Sequence, residues 1–156
     1  MGVSVSASTA IIVAGLFFAF TAFYPVAANG FDRVTDAQHD VNERALEQGN
    51  TAVTVTNATY NTTADELVVN ATNDGSVGLV VSDTTLLVDN EYIDLGVDVS
   101  TRVDDVEDTD LWLGGEELTV TVSQDDTETT VDGESRVVVI TESGVRDGAD
   151  VTEVND

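Results

Sequence analysis

Apolar positions follow three rhythms along this chain. The first is continuous: no charged side chain occurs before Asp32. Within that stretch residues 7–28 read ASTAIIVAGLFFAFTAFYPVAA. At 1.5 Å per residue this segment spans about 33 Å as a helix, enough for a hydrocarbon core of roughly 30 Å. A transmembrane anchor is therefore expected over residues 1–28, with Tyr24 and Pro25 at the far interface. A cleavable signal would want a basic start and a shorter apolar core, although Val26-Ala27-Ala28 offers a cleavage site. A buried core helix would need a larger domain around it. Met1-Gly2-Val3-Ser4-Val5-Ser6 fits a myristoylation pattern, but a membrane span leaves a lipid without a task. A retained span is the expectation.

The second rhythm alternates steps of four and three. Ala27, Phe31, Val34, Val41 and Ala45 follow it, with Gln38 filling one gap. That is the seam of a coiled coil. It predicts an amphipathic helical stalk over 29–48 that continues the anchor, bends near Pro25 and ends at Gln48-Gly49-Asn50 with Gly at C′. The seam Phe31, Val34, Val41, Ala45 packs either on another helix, from a second copy or a partner, or on the chain's own following domain. His39 lies beside the seam and is expected to be solvated.

The third rhythm has period two. Val53 and Val55, then Leu67, Val69 and Ala71, alternate with polar residues, and Asn73-Asp74-Gly75 marks a turn. Val77–Val88 reads as two strands broken near Ser82-Asp83, and Asp89-Asn90 turns the chain before Tyr92 and Ile93. Further strands are expected at Val97–Arg102, Leu111–Leu113, Leu118–Val122, Thr127–Val131 and Arg136–Thr141, with Asp132-Gly133 as a hairpin turn between the last two. About eight short strands in about 100 residues predict an immunoglobulin-like β-sandwich over 49–156. The whole chain is then α+β: a transmembrane helix, a helical stalk and an all-β sandwich.

Composition changes the picture in one respect. The chain carries 30 acidic residues against 5 basic ones, a formal charge of −25, with no Lys and no Cys. At ordinary ionic strength that repulsion opposes compaction. At molar salt the Debye length falls to about 3 Å and most of it is screened. The acidity therefore reads as adaptation to brine. It argues against nucleic acid as a partner, since phosphate binding needs cations. Absence of cysteine excludes disulfides and thiolate chemistry.

No catalytic constellation is legible, so no enzyme, metal or cofactor is expected. The acidic run from Asp104 to Asp110 has carboxylates for a hard cation but lacks the spacing and glycine of an EF-hand, and reads as a solvated loop. Trp112, the only Trp, sits in a run apolar on both faces; it is expected in the core and, if exposed, is the best candidate for a protein contact. Asn57, Asn61 and Asn70 each begin an N-x-Thr sequon. Glycosylation there would place the domain outside the membrane. Flanking charge leans weakly the other way, because Arg33 and Arg44 follow the span.

The order of parts carries a resemblance. MGVSVSASTAIIVAGLFFAF leads into FDRVTDAQHDVNERALEQGNTAVTVTNATYN, and a small Thr/Val-rich β domain containing LLVDNEYIDLG follows. This resembles the haloarchaeal archaellum accessory family FlaF (ArlF) and is similar in architecture to its partner FlaG. The resemblance implies a stator component of the archaeal motility filament, anchored in the cytoplasmic membrane with its sandwich in the space beneath the S-layer. It implies S-layer protein and a FlaG-like protein as partners, and overrides the charge count on orientation. The competing expectation is an archaellin- or pilin-like filament subunit with the apolar helix as filament core. The chain departs from such subunits in having no basic residue before the apolar segment.

Screening makes the salt dependence testable. Lowering KCl from about 3 M to about 0.1 M should lower the melting temperature of the β domain by at least about 10 °C. Circular dichroism of the full chain in detergent measures it; a flat melting temperature would contradict the brine interpretation.

Overall fold

The computed structural model describes residues 2–95, 99–107 and 109–155, with side chains from residue 7 onward. It divides into two units, Met1–Glu43 and Arg44–Asp156. One helix, α1, runs over Gly2–Asn50 and passes through Pro25 without interruption. In the first unit Ile11, Leu16, Phe17, Phe18, Phe20 and Phe23 are uncovered by protein. The hydroxyl of Thr21 turns back onto the carbonyls of Phe17 and Phe18, at 3.0 Å each, and that of Thr35 onto Phe31 at 3.0 Å. These polar groups are thereby satisfied within the helix, as an apolar surrounding requires. One apolar N-terminal helix is thus long enough to act as a membrane anchor.

The expected glycine cap at Gly49 is not formed. The helix includes Gly49 and ends one residue later, and Thr51 closes it by donating from its N–H (3.0 Å) and its hydroxyl (2.9 Å) to the Glu47 carbonyl. The last turn belongs to the second unit, where Gln48 Nε2 donates to the Ser143 carbonyl at 2.9 Å.

Among the described residues of the second unit twelve strands form. They are β1 Val53–Asn61, β2 Glu66–Asn73, β3 Leu79–Val80, β4 Thr85–Val88, β5 Glu91–Asp94, β6 Ser100–Val103, β7 Val106–Glu107, β8 Leu111–Trp112, β9 Glu117–Ser123, β10 Arg136–Ile140, β11 Arg146–Asp150 and β12 Thr152–Val154. One sheet has the order β12-β1-β2-β9-β6-β7 and the other β11-β10-β4-β5; β3 and β8 pair separately. Taking β1, β2, β6 and β9 as strands A, B, D and E, and β4, β5, β10 and β11 as C, C′, F and G, this is the ABED/GFC arrangement of an immunoglobulin sandwich. The fold class expected from strand spacing is the one observed.

The core lies between the two sheets. Leu67, Val69, Leu118, Val120 and Val122 come from one side, and Leu86, Val88, Val137 and Val139 from the other. In β1 the register shifts between Val55 and Asn57, a bulge that moves the inward set from Val53 and Val55 to Ala58 and Tyr60. Strict period two could not show that switch. Asp89 and Asn90 both have positive φ, 50° and 70°, which makes the β4–β5 hairpin a type I′ turn. Asp104 and Asp105, at 44° and 68°, build the same turn between β6 and β7, inside a run expected to be only a loop. Gly75 is required for close approach: a Cβ there would lie 2.5 Å from the Asn50 carbonyl oxygen.

Two expectations are corrected, and two strands appear that none anticipated. Thr127–Val131 is not a strand, and so Asp132-Gly133 is not a hairpin turn between strands. This segment crosses between sheets without a ladder partner, and side chains replace one. Gln124 Nε2 donates to the Thr129 carbonyl, Val131 N–H donates to Gln124 Oε1, and Glu91 accepts from Glu128 and Thr129. Asp132 instead opens a turn, receiving the Glu134 and Ser135 N–H groups on its side chain and carbonyl. β11 and β12 were not legible, because RDGAD and TEV carry no apolar alternation. They are strands because β10 and β1 offer them free edges: β11 pairs antiparallel with β10, and β12 runs parallel to β1. Of the strand expected at Val97–Arg102, Val97 and Asp98 lie outside the described residues; the described strand is β6.

Trp112 is the largest fully buried side chain, and its indole N–H donates to the Glu116 carbonyl at 2.9 Å. Beside it, buried Asn73 donates to the Val77 and Trp112 carbonyls (2.9 and 3.1 Å) and accepts from Gly75 N–H at 3.0 Å. Trp112→Ala should cost about 3–5 kcal/mol through the cavity it leaves. Asn73→Leu keeps the branched shape but takes the donor from the Val77 and Trp112 carbonyls, at about 1–3 kcal/mol for each left unsatisfied, while the Gly75 N–H keeps the Ala52 carbonyl. Urea titrations of both variants at molar salt measure the losses; near-neutral values would show that this end of the core is not packed as described.

Candidate functional site

Carboxylates of the acidic run serve the local fold. Asp104 Oδ1 accepts the Glu117 N–H at 2.9 Å. Asp110 accepts both the N–H and the hydroxyl of Ser82, at 2.8 and 3.0 Å. Glu107 pairs with Arg102 across the β6–β7 hairpin at 3.0 Å. Asp108 lies outside the described residues. Among the described residues no group of three or more His, Cys, Asp or Glu is placed to hold a metal ion. His39 is exposed and faces Glu43 one turn along α1, 3.7 Å away.

The three sequon asparagines differ in what their side chains do. Asn61 Oδ1 accepts from the N–H groups of Thr63 and Ala64, at 2.9 and 3.0 Å, and holds the β1–β2 turn. Asn70 Nδ2 donates to Glu117 Oε1 at 2.9 Å. Asn57 is exposed at the β1 bulge. The seam residues Phe31, Val34, Val41 and Ala45 are all exposed on α1. Trp112, considered as a contact residue if exposed, is fully enclosed and so offers no contact surface; core packing is its role.

The structure brings together a surface that the sequence did not flag. Outward positions of the larger sheet are mostly polar: Thr54, Thr56 and Thr59 on β1, Thr119 and Thr121 on β9. The smaller sheet differs. Its outward positions include Leu87 on β4, Val138 and Ile140 on β10, and Tyr92 on β5, the last 60% exposed. Cross-strand register sets Tyr92 beside Leu87 and Leu87 beside Val138. The signal was present. RVVVI and TLLV are apolar at consecutive positions, and a strand with one wet face should alternate. Such a run reads from sequence as a strand; only the sheet order shows that one face is left uncovered.

No protein-family model and no curated protein sequence matches the chain. Among solved structures, it is similar to the archaellum periplasmic stator protein FlaG from Sulfolobus acidocaldarius, at 11% identity and TM-score 0.44, covering 64% of this chain and 97% of that one. It is similar to the FlaF–FlaG stator complex of the same organism, at 11% identity and TM-score 0.45, covering 62% and 85%. It also matches the ligand-binding region of serine-glutamate repeat protein A from Enterococcus faecium, at 16% identity and TM-score 0.38, covering 69% and 99%. What the chain does is read from its own residues.

Glu91 gives the domain an acid-sensitive clasp. The N–H of Glu128, assisted by the hydroxyl and N–H of Thr129, holds its carboxyl below the ordinary carboxylate value. A carboxyl depressed in the folded state stabilises above its unfolded value, and that stabilisation is lost as pH falls through the folded value. Glu91→Gln should therefore melt lower than the parent at neutral pH, and the two curves should converge below about pH 4.5. Melting temperature against pH checks this; parallel curves would remove the clasp.

Proposed function

We propose that this chain is a non-enzymatic accessory component of the archaellum, a stator protein that holds a static part of the motor through protein contacts. The observation that carries this is an uncovered apolar helix joined to an immunoglobulin-like sandwich whose smaller sheet shows an apolar outer face. The sequence resemblance to the FlaF family, over the first 60 residues and the β4–β5 hairpin, supports the same assignment. In this reading α1 anchors the chain in the cytoplasmic membrane and the sandwich stands outside it, beneath the S-layer. Its partners are S-layer protein and a FlaG-like protein, with the α1 seam available for self-association. Asn57 is the sequon best placed for modification, being exposed at a bulge. No step calls for a cofactor.

A filament subunit is the second reading, favoured by an apolar helix exposed along its length in the first unit. The two separate by experiment. A stator component in detergent at about 3 M KCl, the salt that screens its charge, binds purified S-layer protein or the FlaG-like protein. Its intact mass retains the apolar segment, and it is absent from sheared filaments. Failure to bind either protein would sink the stator reading. Processing beside the apolar segment together with recovery in sheared filaments would establish the second.

A further inference from the structure

We infer that the outer face of the β11-β10-β4-β5 sheet is the docking surface for an acidic protein partner, which lays an extended segment along it with two carboxylates four residues apart and an apolar side chain midway. This deepens the protein-contact reading above and rests on it.

The face is built for contact in three respects. First, Tyr92 is exposed and Leu87, Val138 and Ile140 are half-buried on its outer side, where β1 and β9 of the larger sheet present threonines. Apolar residues gathered on one face of a strongly charged domain mark an interaction site. Second, the face is notched. Gly148 on β11 stands opposite Val138, and a Cβ there would lie 2.5 Å from the Val137 carbonyl oxygen. Only glycine fits, and its missing side chain leaves a shallow concavity of about 380 Å³ beside Val138. An apolar side chain from a partner fills that notch.

Third, arginines are concentrated here, beside Asp147 and Asp150. Two of the five arginines, Arg136 and Arg146, line this concavity in a chain of net charge −25. Arg136 meets Asp150 at 3.2 Å, with both side chains exposed. Among the described residues the Arg146 side chain has no ion pair or hydrogen bond. Asp147, between them, accepts the Val55 N–H at 2.9 Å. At molar salt only charges at contact range are felt, because the Debye length is about 3 Å. Two acidic proteins therefore meet where arginines are gathered, Arg146 without an internal partner among the described residues, whatever their net charges.

Register sets the ligand. Arg136 lies in the Arg136–Asp150 row, Gly148 and Val138 in the next same-face row, and Arg146 beside Ile140 in the third. First and third rows are four residues apart, about 13 Å along a strand. In an extended segment, positions i, i+2 and i+4 share one face. Carboxylates at i and i+4 then reach the two guanidinium groups while the side chain at i+2 enters the notch.

Binding of the full chain to S-layer protein and to the FlaG-like protein at molar salt tests this. Arg146→Glu and the double variant R136E/R146E should weaken binding to one of them by at least about 10-fold, the weight of one charged contact. Thr54→Glu and Thr121→Glu, on the larger sheet, should bind like the parent. Melting temperatures confirm that each variant is folded. If parent and arginine variants bind equally, the face is wrong while the protein-contact reading stands; if the parent binds neither protein, that reading itself fails. Loss of binding only in the larger-sheet variants moves the surface there and overturns the inference. A photo-crosslinker placed at Val138 should capture the same partner; capture of a second copy of this chain would make the occupant itself and overturn the inference.

Discussion

Burial of one apolar stripe per strand between two sheets must outweigh the mutual repulsion of the carboxylates, and the domain depends on that balance. Each inward Val or Leu, removed from water, contributes on the order of 1.5–3 kcal/mol before entropy is counted. Leu67, Val69, Leu118, Val120 and Val122 from one sheet meet Leu86, Val88, Val137 and Val139 from the other. Trp112 and Asn73 complete one end of this core, the first by volume and the second by donating to the Val77 and Trp112 carbonyls. With the stripes buried, the charge is left on outer faces and turns, where salt screens it.

Many of those acidic groups then have structural work. Asp104, Asp110, Asp132 and Asp147, with Glu91, each accept a backbone N–H that no strand partner reaches. Carboxylates are strong acceptors for such donors. An Asp-rich chain thus spends part of its charge on closing turns. Asp89-Asn90 and Asp104-Asp105 supply the left-handed positions that other hairpins take from Asn-Gly. The acidic run that reads from sequence as a solvated loop is, over its described residues, a set of turn and cross-strand ties.

This division of labour bears on function. Outward positions on β1 and β9 of the larger sheet are mostly threonine, whereas the smaller sheet sets Leu87, Val138 and Ile140 beside a notch at Gly148. Contacts spread over a sheet bear load better than a mobile loop, since each strand is held by its neighbours.

The sequence by itself determined the elements whose signal is local. An uncharged 7–28 segment marks a helix long and apolar enough to cross a membrane, and its continuation to Gln48-Gly49-Asn50 was legible from the seam. Alternating runs marked β1, β2 and β9, and Asp89-Asn90 marked the hairpin. Tertiary structure decided whatever depends on a distant partner. RDGAD became β11 because β10 had an unpaired edge, while Thr127–Val131 alternated no worse yet found no ladder and was tied by Gln124 and Glu91. The indole of Trp112 went inside while its neighbours Leu111 and Leu113 stayed exposed, and in RVVVI Val137 and Val139 went inside while Val138 and Ile140 stayed on the outer face. Both runs split into a buried and an uncovered set because a strand's sequence records which residues are apolar, and only the packing of sheets decides which of its two faces is covered.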